Sequence, residues 1–294
     1  MSHINIPADV KRYADILKPD EAIQPILPPA ARGVVHQWMT EITAEDELAA
    51  VNVAPRRSAI LSGPPGCGKT TLAHHLAGRL AVPLVCVNMD QLISKYLGES
   101  GRNIAAMFSA IEPIAKDVIL FMDEIDAIGA KRSDSSQGAD QERNAIVNHL
   151  LKRTESYHGT MIAATNRPGV IDPALHRRFG LQLEIPLPGQ DERFAIMTHY
   201  LIPFTLDEDA LGVLTDLTAG AAPSLLRQIM EGVKRDLILA PRLNYNTSST
   251  DTFARIVAST KPHEDYDTPP LWNDGLNELA NIAWPPQLDK ARAA

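Results

Sequence analysis

Short apolar runs alternate with amphipathic stretches from residue 58 to residue 185, and this alternation predicts strands separated by helices. The predicted strands are 58–62, 84–87, 118–122, 160–164 and 183–185. The predicted helices are 32–39, 71–80, 104–111 and 144–151. Strands that alternate with helices are typical of an α/β fold, in which helices flank a parallel sheet on both faces.

Downstream of residue 186 the apolar positions recur at helical spacing, and no strand is predicted between the helices. These helices are 193–200, 207–217 and 224–239. A loop at 244–251 follows, and then come two short helical candidates, 252–259 and 273–283, joined by a linker rich in proline and acidic residues. Because Trp272 and Trp284 are large and apolar, we expect the tail to pack either against the preceding helices of its own chain, which form a lid domain, or against a neighbouring chain.

The pattern divides the chain into four segments. The first segment, 1–25, is polar and interrupted by proline, which predicts a loosely packed arm. An α/β domain is predicted at 26–186, and a small all-helical lid domain at 187–240. Residues 241–294 form a C-terminal extension.

Composition is that of an ordinary soluble globular protein, with 45% hydrophobic and 22% charged residues. The net charge of −8 disfavours broad binding to nucleic acid, which needs a basic surface. The apolar run 118–122 is too short to span a bilayer, and no secretory leader pattern opens the sequence. Cys67 and Cys86 cannot build a disulfide framework, so we expect a cytoplasmic protein without membrane contact.

A glycine-rich segment lies between a predicted strand and a predicted helix. It consists of Gly63, Pro64, Pro65, Gly66, Cys67, Gly68, Lys69 and Thr70, with Thr71 next in the helix. This order fits G-x-x-x-x-G-K-T, whose backbone N–H groups cradle phosphates at the positive end of a helix. Lys69 is predicted to reach the β- and γ-phosphates of ATP and Thr70 to ligate Mg²⁺, as in a P-loop NTPase.

Two carboxylates, Asp123 and Glu124, follow the most apolar strand. The carboxyl ends of parallel strands face the ligand crevice, so this pair is predicted to lie beside the phosphate loop. Asp123 is expected to hold Mg²⁺, and Glu124 to polarise the attacking water. Asp126 is expected to cap the helix that follows instead of contacting metal.

These motifs, with three further segments in the same order, resemble the AAA family of ring ATPases. The segments are 63–70 (nucleotide loop), 92–100 (pore loop), 123–126 (acidic motif), 163–168 (sensor) and 172–179 (arginine finger). Cys67 stands where the family usually has threonine or another small residue. The resemblance covers residues 27–239 and is closest to the severing-type branch and to short stand-alone bacterial members.

The resemblance implies roles that the spacing alone does not. Asn166 would bond the γ-phosphate or the lytic water. Arg177 and Arg178 would reach the ATP of a neighbouring subunit, which requires a closed head-to-tail ring, and a hexamer is the family's usual form. The alternative for both arginines is an exposed, solvated pair.

The resemblance also implies that Lys95, Tyr96 and Leu97 form a loop that grips an extended polypeptide in the ring's pore. The alternative for Tyr96 is an ordinary core aromatic, although its charged and glycine neighbours disfavour that interpretation. Asn88 ends the strand before this loop. It would either restrain the catalytic glutamate or act as a cap or turn residue, and both interpretations stay open.

Residues 218–224 depart from the family pattern, because Pro223 and Ser224 open the helix where severing-type members have a Gly-Ala-Asp turn. Ser224 is expected near a capping position. Arg227 could serve as a second sensor for the nucleotide or could face solvent. The sequence does not decide between these roles.

The sequence therefore predicts an ATP-hydrolysing, Mg²⁺-dependent motor subunit that remodels, unfolds or threads a protein substrate. Three alternatives remain: a nucleic-acid loader, a switch that binds ATP without turnover, and a regulatory partner of a separate protease. The acidic balance disfavours the first, and an intact Glu124 with paired arginines disfavours the second. The third rests on analogy alone.

Overall fold

The structure is a computed structural model that describes residues 5–93, 99–128 and 138–289, with the backbone alone for 138–143. Contacts between residues group the chain into two units. The first comprises residues up to Pro25, Pro29–Pro64 and Lys69–Ile185. The second comprises Ile26–Pro28, Pro65–Gly68 and the residues from Pro186 onwards. The sequence-based division into four segments stays a prediction.

A mostly parallel sheet of six strands forms the centre of the first unit. Its strands are β1 (Ala14–Leu17), β2 (Ser58–Ser62), β3 (Leu84–Val87), β4 (Ile119–Met122), β5 (Thr160–Thr165) and β6 (Leu181–Glu184). They lie in the order β1-β3-β4-β5-β2-β6, and every pair is parallel except β1 with β3. All four residues of β4 are buried, as expected for a central parallel strand covered on both faces.

Helices flank this sheet, which confirms the predicted α/β class. They are α1 (Ala8–Lys11), α2 (Pro29–Thr43), α3 (Glu45–Ala49), α4 (Lys69–Arg79), α5 (Met89–Leu92), α6 (Glu99–Ile111), α7 (Gly138–Ser156) and α8 (Pro173–His176). Helix α4 contacts β3 and β5, while the buried residues of α6 and α7 join a core cluster with the sheet residues Val85, Leu120 and Met122. Because the strands run in parallel, the loops after β2, β4 and β5 meet at one edge.

The expectation of a loosely packed arm at 1–25 is wrong for the described part of that segment. Strand β1 pairs antiparallel with β3, from Ala14 opposite Val87 to Leu17 opposite Leu84. Val10 and Tyr13 are buried in the core cluster of the sheet. The polar residues of this segment face solvent at the edge of the sheet, which explains why its composition suggested a loose arm.

The second unit is built mainly from helices. They are α9 (Gln190–Leu201), α10 (Glu208–Leu217), α11 (Pro223–Leu239) and α12 (Ser249–Ser259). Short 3-10 turns follow at Pro270–Trp272 and Gly275–Asn281, the second in place of the predicted helix at 273–283. Among the described residues, no helix is both long and apolar enough to cross a membrane.

The prediction that this region lacks strands misses one short pair. Strands β7 (Phe204–Thr205) and β8 (Gln287–Leu288) run antiparallel, so the C-terminal extension adds a strand beside the helices. The extension also packs against its own lid, because Trp272 and Trp284 line the apolar core of this unit. Their indole nitrogens donate to the carbonyls of Thr260 and Thr247, at 2.8 and 2.7 Å.

The predicted loop at 244–251 ends earlier than expected. Ser248 caps α12, and its hydroxyl accepts a hydrogen bond from the backbone N–H of Asp251 at 3.2 Å. Helix α12 therefore begins at Ser249.

Candidate nucleotide site

The phosphate loop lies between the end of β2 and the start of α4, as its motif requires. Its backbone depends on glycine at positions 63, 66 and 68, all of which have a positive φ. A Cβ on Gly63 would lie 2.1 Å from the carbonyl oxygen of Ile185, and Gly68 has a left-handed φ of 87°. Side chains other than hydrogen would therefore displace the loop at Gly63 and strain it at Gly68.

The side chain of Lys69 folds back into the loop that precedes it. It is 6% exposed, and its Nζ donates to the carbonyls of Gly63 and Pro64 at 2.8 and 2.9 Å. The same Nζ donates to Oδ1 of Asn166 at 2.6 Å. A buried ammonium surrounded by oxygen atoms has the chemistry to receive a phosphate, which would supply the same kind of acceptor.

Thr70 and Asp123 bring a hydroxyl and a carboxylate together at the same edge of the sheet. Oγ1 of Thr70 donates to Oδ2 of Asp123 at 2.7 Å, and the backbone N–H of Glu124 donates to Oδ1 at 2.9 Å. These oxygen atoms suit Mg²⁺, which is usually held by one or two protein groups together with substrate phosphates and water. Across the described residues no cluster of three or more His, Cys, Asp or Glu forms a cage for a metal.

Glu124 follows β4 in a left-handed conformation, with φ 50° and ψ 43°. A residue other than glycine adopts this region at an energetic cost, and such positions concentrate at functional sites. The turn leaves the Glu124 carboxylate exposed next to Asp123. Its position is compatible with the predicted task of polarising water.

Within the described residues Asp126 caps no helix, because it lies inside the 3-10 turn Ile125–Ala127, whose N-cap is Glu124, so the expectation is not met there. Its Oδ1 accepts a hydrogen bond from Oγ1 of Thr165 at 2.7 Å, and Oγ1 of Thr165 accepts one from the N–H of Arg167 at 2.9 Å. The carboxylate therefore ties the end of β4 to the end of β5. That bond holds the segment on which Asn166 lies beside the acidic motif.

Arg177 and Arg178 follow α8, whose start is capped by the buried Asp172. Nε of Arg177 donates to the carbonyl of Pro173 at 3.1 Å. The guanidinium of Arg178 lies 2.6 Å from a carboxylate oxygen of Glu155, and both side chains are about half exposed (47% and 48%). An exposed ion pair of this kind is weak, so it leaves Arg178 able to exchange partners.

Of the remaining predicted residues, Lys95, Tyr96 and Leu97 lie outside the described part of the chain. Asn88 occupies the N-cap position of α5, but its side chain makes no capping hydrogen bond. Arg227 is exposed, with Nε 2.7 Å from Glu231 and its guanidinium 5.6 Å from the ring centroid of Tyr200. The hydrogen bond and charge of this pair raise the pKa of Arg227 and lower that of Glu231.

Thr71, Cys67 and Ser224 are the remaining predicted residues near the loop. Thr71 lies half-buried in the first turn of α4, and Cys67 is buried and forms no disulfide. Ser224 lies one residue inside the start of α11, whose N-cap is Ala222, so its side chain does not cap this helix.

One residue at this loop was missed by the sequence analysis. Oη of Tyr266 donates to the carbonyl of Pro65 at 2.9 Å, across 201 residues of sequence. The N–H of Ser224 donates to the next carbonyl, that of Gly66, at 3.2 Å. All four residues belong to the second unit. No motif marks Tyr266, which lies in the linker rich in proline and acidic residues.

Comparison with known proteins relates this site to one family. Residues 59–187 match the family described as "ATPase family associated with various cellular activities (AAA)". A proteasome-activating nucleotidase from Pyrococcus abyssi is 37% identical over 185 residues, which cover 61% of this chain and 46% of that protein. The 26S proteasome regulatory subunit 10B homolog A of Arabidopsis thaliana is 40% identical over 153 residues, 50% of this chain and 38% of that protein. The similarity spans less than half of each relative.

Proposed function

We propose that the protein is a Mg²⁺-dependent ATPase of the AAA family, because residues 59–187 match the model of that family. It acts as one subunit of a ring that uses ATP hydrolysis to unfold or thread a protein substrate. The observation that carries this proposal is the meeting of the phosphate loop with the acidic strand end. There, Oγ1 of Thr70 lies 2.7 Å from Oδ2 of Asp123.

Each residue of the site then has a distinct task. The backbone N–H groups of the loop and the ammonium of Lys69 bind the phosphates. Thr70 and Asp123 hold Mg²⁺, which when bound neutralises charge on the β- and γ-phosphates. Glu124 accepts a proton from the attacking water, and Asn166 orients that water or the γ-phosphate. Hydrolysis depends on this positioning, because the transferred phosphoryl group needs little covalent assistance.

The proposal includes a hexameric ring. Arg177 and Arg178 would act on ATP bound by the neighbouring subunit, where a guanidinium stabilises charge in the transition state. Their exposure in the single chain supports this role, since a finger that acts between subunits must be accessible before assembly. The substrate would be gripped by Lys95, Tyr96 and Leu97.

A regulatory role beside a protease is the second candidate. It is supported by the names of the relatives, which tie those proteins to proteasomes. Adding the chain and ATP to a purified proteasome core would test it with an unfolded protein as substrate. Faster degradation that requires ATP supports this role, and an unchanged rate excludes a regulatory role beside the proteasome core.

Steady-state ATP hydrolysis, measured against protein concentration, tests the main proposal. The assay is run with an unfolded protein, with DNA and with neither, and Lys69→Ala controls for contaminating ATPases. Specific activity that rises with concentration and again with the unfolded protein supports a ring-forming remodeller. Stimulation by DNA alone supports the alternative of a nucleic-acid loader. Wild-type activity equal to that of Lys69→Ala would mean that this chain does not hydrolyse ATP at the proposed site.

A further inference from the structure

A loop of the C-terminal extension reaches the phosphate loop within the second unit. We call residues 260–272 the strap. It leaves the end of α12 and returns to the apolar core at Leu271, which is fully buried. The indole N–H of Trp272 donates to the carbonyl of Thr260 at 2.8 Å and so closes the base of the strap. Both ends of the strap are therefore fixed.

The middle of the strap is a turn that presents Tyr266. The N–H of Tyr266 donates to the carbonyl of His263 at 3.2 Å, and the two rings lie 5.4 Å apart at a tilt of 38°. The N–H of Asp265 donates to Nδ1 of His263 at 3.3 Å. This local bonding orients the phenol, whose Oη donates to the carbonyl of Pro65 at 2.9 Å.

The contact fixes the direction of a peptide plane in the phosphate loop. In a planar trans peptide the C=O and the following N–H point in opposite directions. Tyr266 holds the carbonyl of Pro65, and the backbone of Ser224 holds the carbonyl of Gly66. Both carbonyls are therefore directed toward Tyr266 and Ser224, which belong to the same unit as the loop residues Pro65 and Gly66. The N–H groups of Gly66 and Cys67 consequently point the opposite way, as required of groups that cradle phosphate.

We propose that Tyr266 is a positioning residue for phosphate binding. Its hydroxyl holds the Pro65 carbonyl and thereby pre-orients the N–H of Gly66 for the phosphates of the nucleotide. This inference rests on the proposed binding of ATP. It assigns a role in that binding to the C-terminal extension, which lies outside the matched segment 59–187.

The phenol is a reliable donor at physiological pH. Burial, with smaller contributions from Cys67 and Asp265, raises the pKa of Tyr266 to about 12. The hydroxyl therefore keeps its proton throughout the pH range in which the protein would work. A cavity of about 170 Å³, lined in part by Gln228, Lys261 and His263, adjoins the ring. Tyr266→Phe removes only the hydroxyl oxygen and keeps the ring that adjoins this cavity.

The test is the affinity of Tyr266→Phe for phosphate-bearing ligands, measured with the full chain. A fluorescent ATP analogue is bound first, and ATP and inorganic triphosphate are then used to displace it. We expect about fivefold weaker binding of both, because one hydrogen bond is lost and both ligands present phosphates to the same loop. Turnover at saturating ATP should stay within about twofold of wild type, since binding is pre-organised but the reacting groups are unchanged.

Tyr245→Phe is the matched control, because Tyr245 is an exposed tyrosine of the same unit whose ring lies 5.5 Å from the guanidinium of Arg255. It should bind both ligands as wild type does. Thermal denaturation of Tyr266→Phe should match that of Tyr245→Phe within about 2 °C, which separates a positioning role from a general loss of stability.

Two results would overturn the inference alone. One is wild-type affinity in Tyr266→Phe while Lys69→Ala loses binding. The other is weaker binding of ATP with unchanged binding of triphosphate, because the phosphates would then not be what the tyrosine serves. If the wild-type chain shows no saturable binding of ATP, both the proposed function and this inference are contradicted.

Discussion

The ammonium of Lys69 donates a hydrogen bond to Oδ1 of Asn166 at 2.6 Å, although the two residues are 97 positions apart. Lys69 begins α4, the helix after β2, and Asn166 directly follows β5. Strands β2 and β5 are parallel neighbours in the sheet, so residues that follow both strands meet at one edge. Nucleotide binding would place a phosphate beside this ammonium. Lys69 would then bond the phosphate, and the Asn166 amide would be available to the γ-phosphate or to water.

Two substitutions of Asn166 should separate binding from turnover. Asn166→Ala removes a polar group at the reacting phosphate, so turnover should fall by roughly 10- to 100-fold while ATP affinity changes by less than about threefold. Asn166→Asp places a carboxylate beside Lys69, and this charge competes with phosphate for the ammonium. It should therefore weaken ATP binding by about tenfold or more. Nucleotide titration and steady-state kinetics measure both effects. Normal turnover by Asn166→Ala would exclude the proposed role.

Glu124→Gln should bind ATP normally and hydrolyse it at least about 100-fold more slowly, because an amide cannot accept the proton of the water. Bound ATP should then hold subunits together, which light scattering after gel filtration would detect as an assembled ring. Glu112→Gln is the control, since Glu112 lies elsewhere in the same unit, where its carboxylate contacts His158 at 2.7 Å. Hydrolysis by Glu124→Gln at the control's rate would remove Glu124 as the base.

The pair formed by Arg178 and Glu155 gives a direct test of action between subunits. If Arg178 serves a neighbouring site, Arg178→Ala should abolish hydrolysis, whereas Glu155→Gln should retain it because only the weak exposed bridge is lost. Mixing Arg178→Ala with Lys69→Ala should restore part of the activity, since one chain supplies an intact pocket and the other an intact finger. Equal effects of Arg178→Ala and Glu155→Gln, without restoration at any mixing ratio, would assign the arginine a structural role.

An ion pair inside the second unit makes its stability depend on pH. Arg255 donates to both carboxylate oxygens of Asp236 at 2.8 and 2.7 Å, and Thr252 donates to Oδ2 at 2.8 Å. These bonds, that of Arg255 first, lower the pKa of Asp236 below its ordinary value of 3.8. A lowered pKa contributes stability that is present above the ordinary value and is lost as pH falls through the lowered one.

Asp236→Asn should therefore reduce the free energy of unfolding by about 1–3 kcal/mol at pH 7, because hydrogen bonds to a charged group are lost. At pH 3, which is below the ordinary pKa of 3.8, the difference from wild type should be smaller, because the carboxyl group of the unfolded chain is then largely protonated and must lose its proton to form the native pair. Urea unfolding at both pH values measures this change. Asp274→Asn, at an exposed carboxylate, is the control for the effect of the substitution itself. A difference that is the same at both pH values would contradict the linkage.

The parts of the fold that depend on local sequence were predictable. Strands at Ser58–Ser62 and Leu84–Val87 have the bounds that their apolar runs predicted, because a strand buried on both faces has few polar positions. Strand β1 was missed. Its identity as a strand depends on pairing with β3, about 70 residues downstream, and its own residues are too polar to reveal that pairing.

The residues of the candidate site also divide into those that local sequence predicts and those whose contacts depend on the fold. The loop around Lys69 and the acidic pair at Asp123 could be found because each motif is short and contiguous. The bond from Asp126 to Thr165 could not be predicted, since it depends on how two neighbouring strands end. Tyr266 carries no motif, and its role depends on a strap whose ends are fixed by distant packing. Bonds between distant residues follow from the fold and are not visible in local patterns.

Strand β1 has a consequence for how this protein can be divided. The matched segment begins at residue 59, downstream of β1, of Trp38 in α2 and of the buried residues in α1. A fragment cut at that boundary would leave the outer edge of β3 without a partner, and an unpaired edge is prone to association with other chains. A fragment able to fold alone must therefore extend beyond the matched segment 59–187 and reach back to Ile6, where the core cluster of the sheet begins.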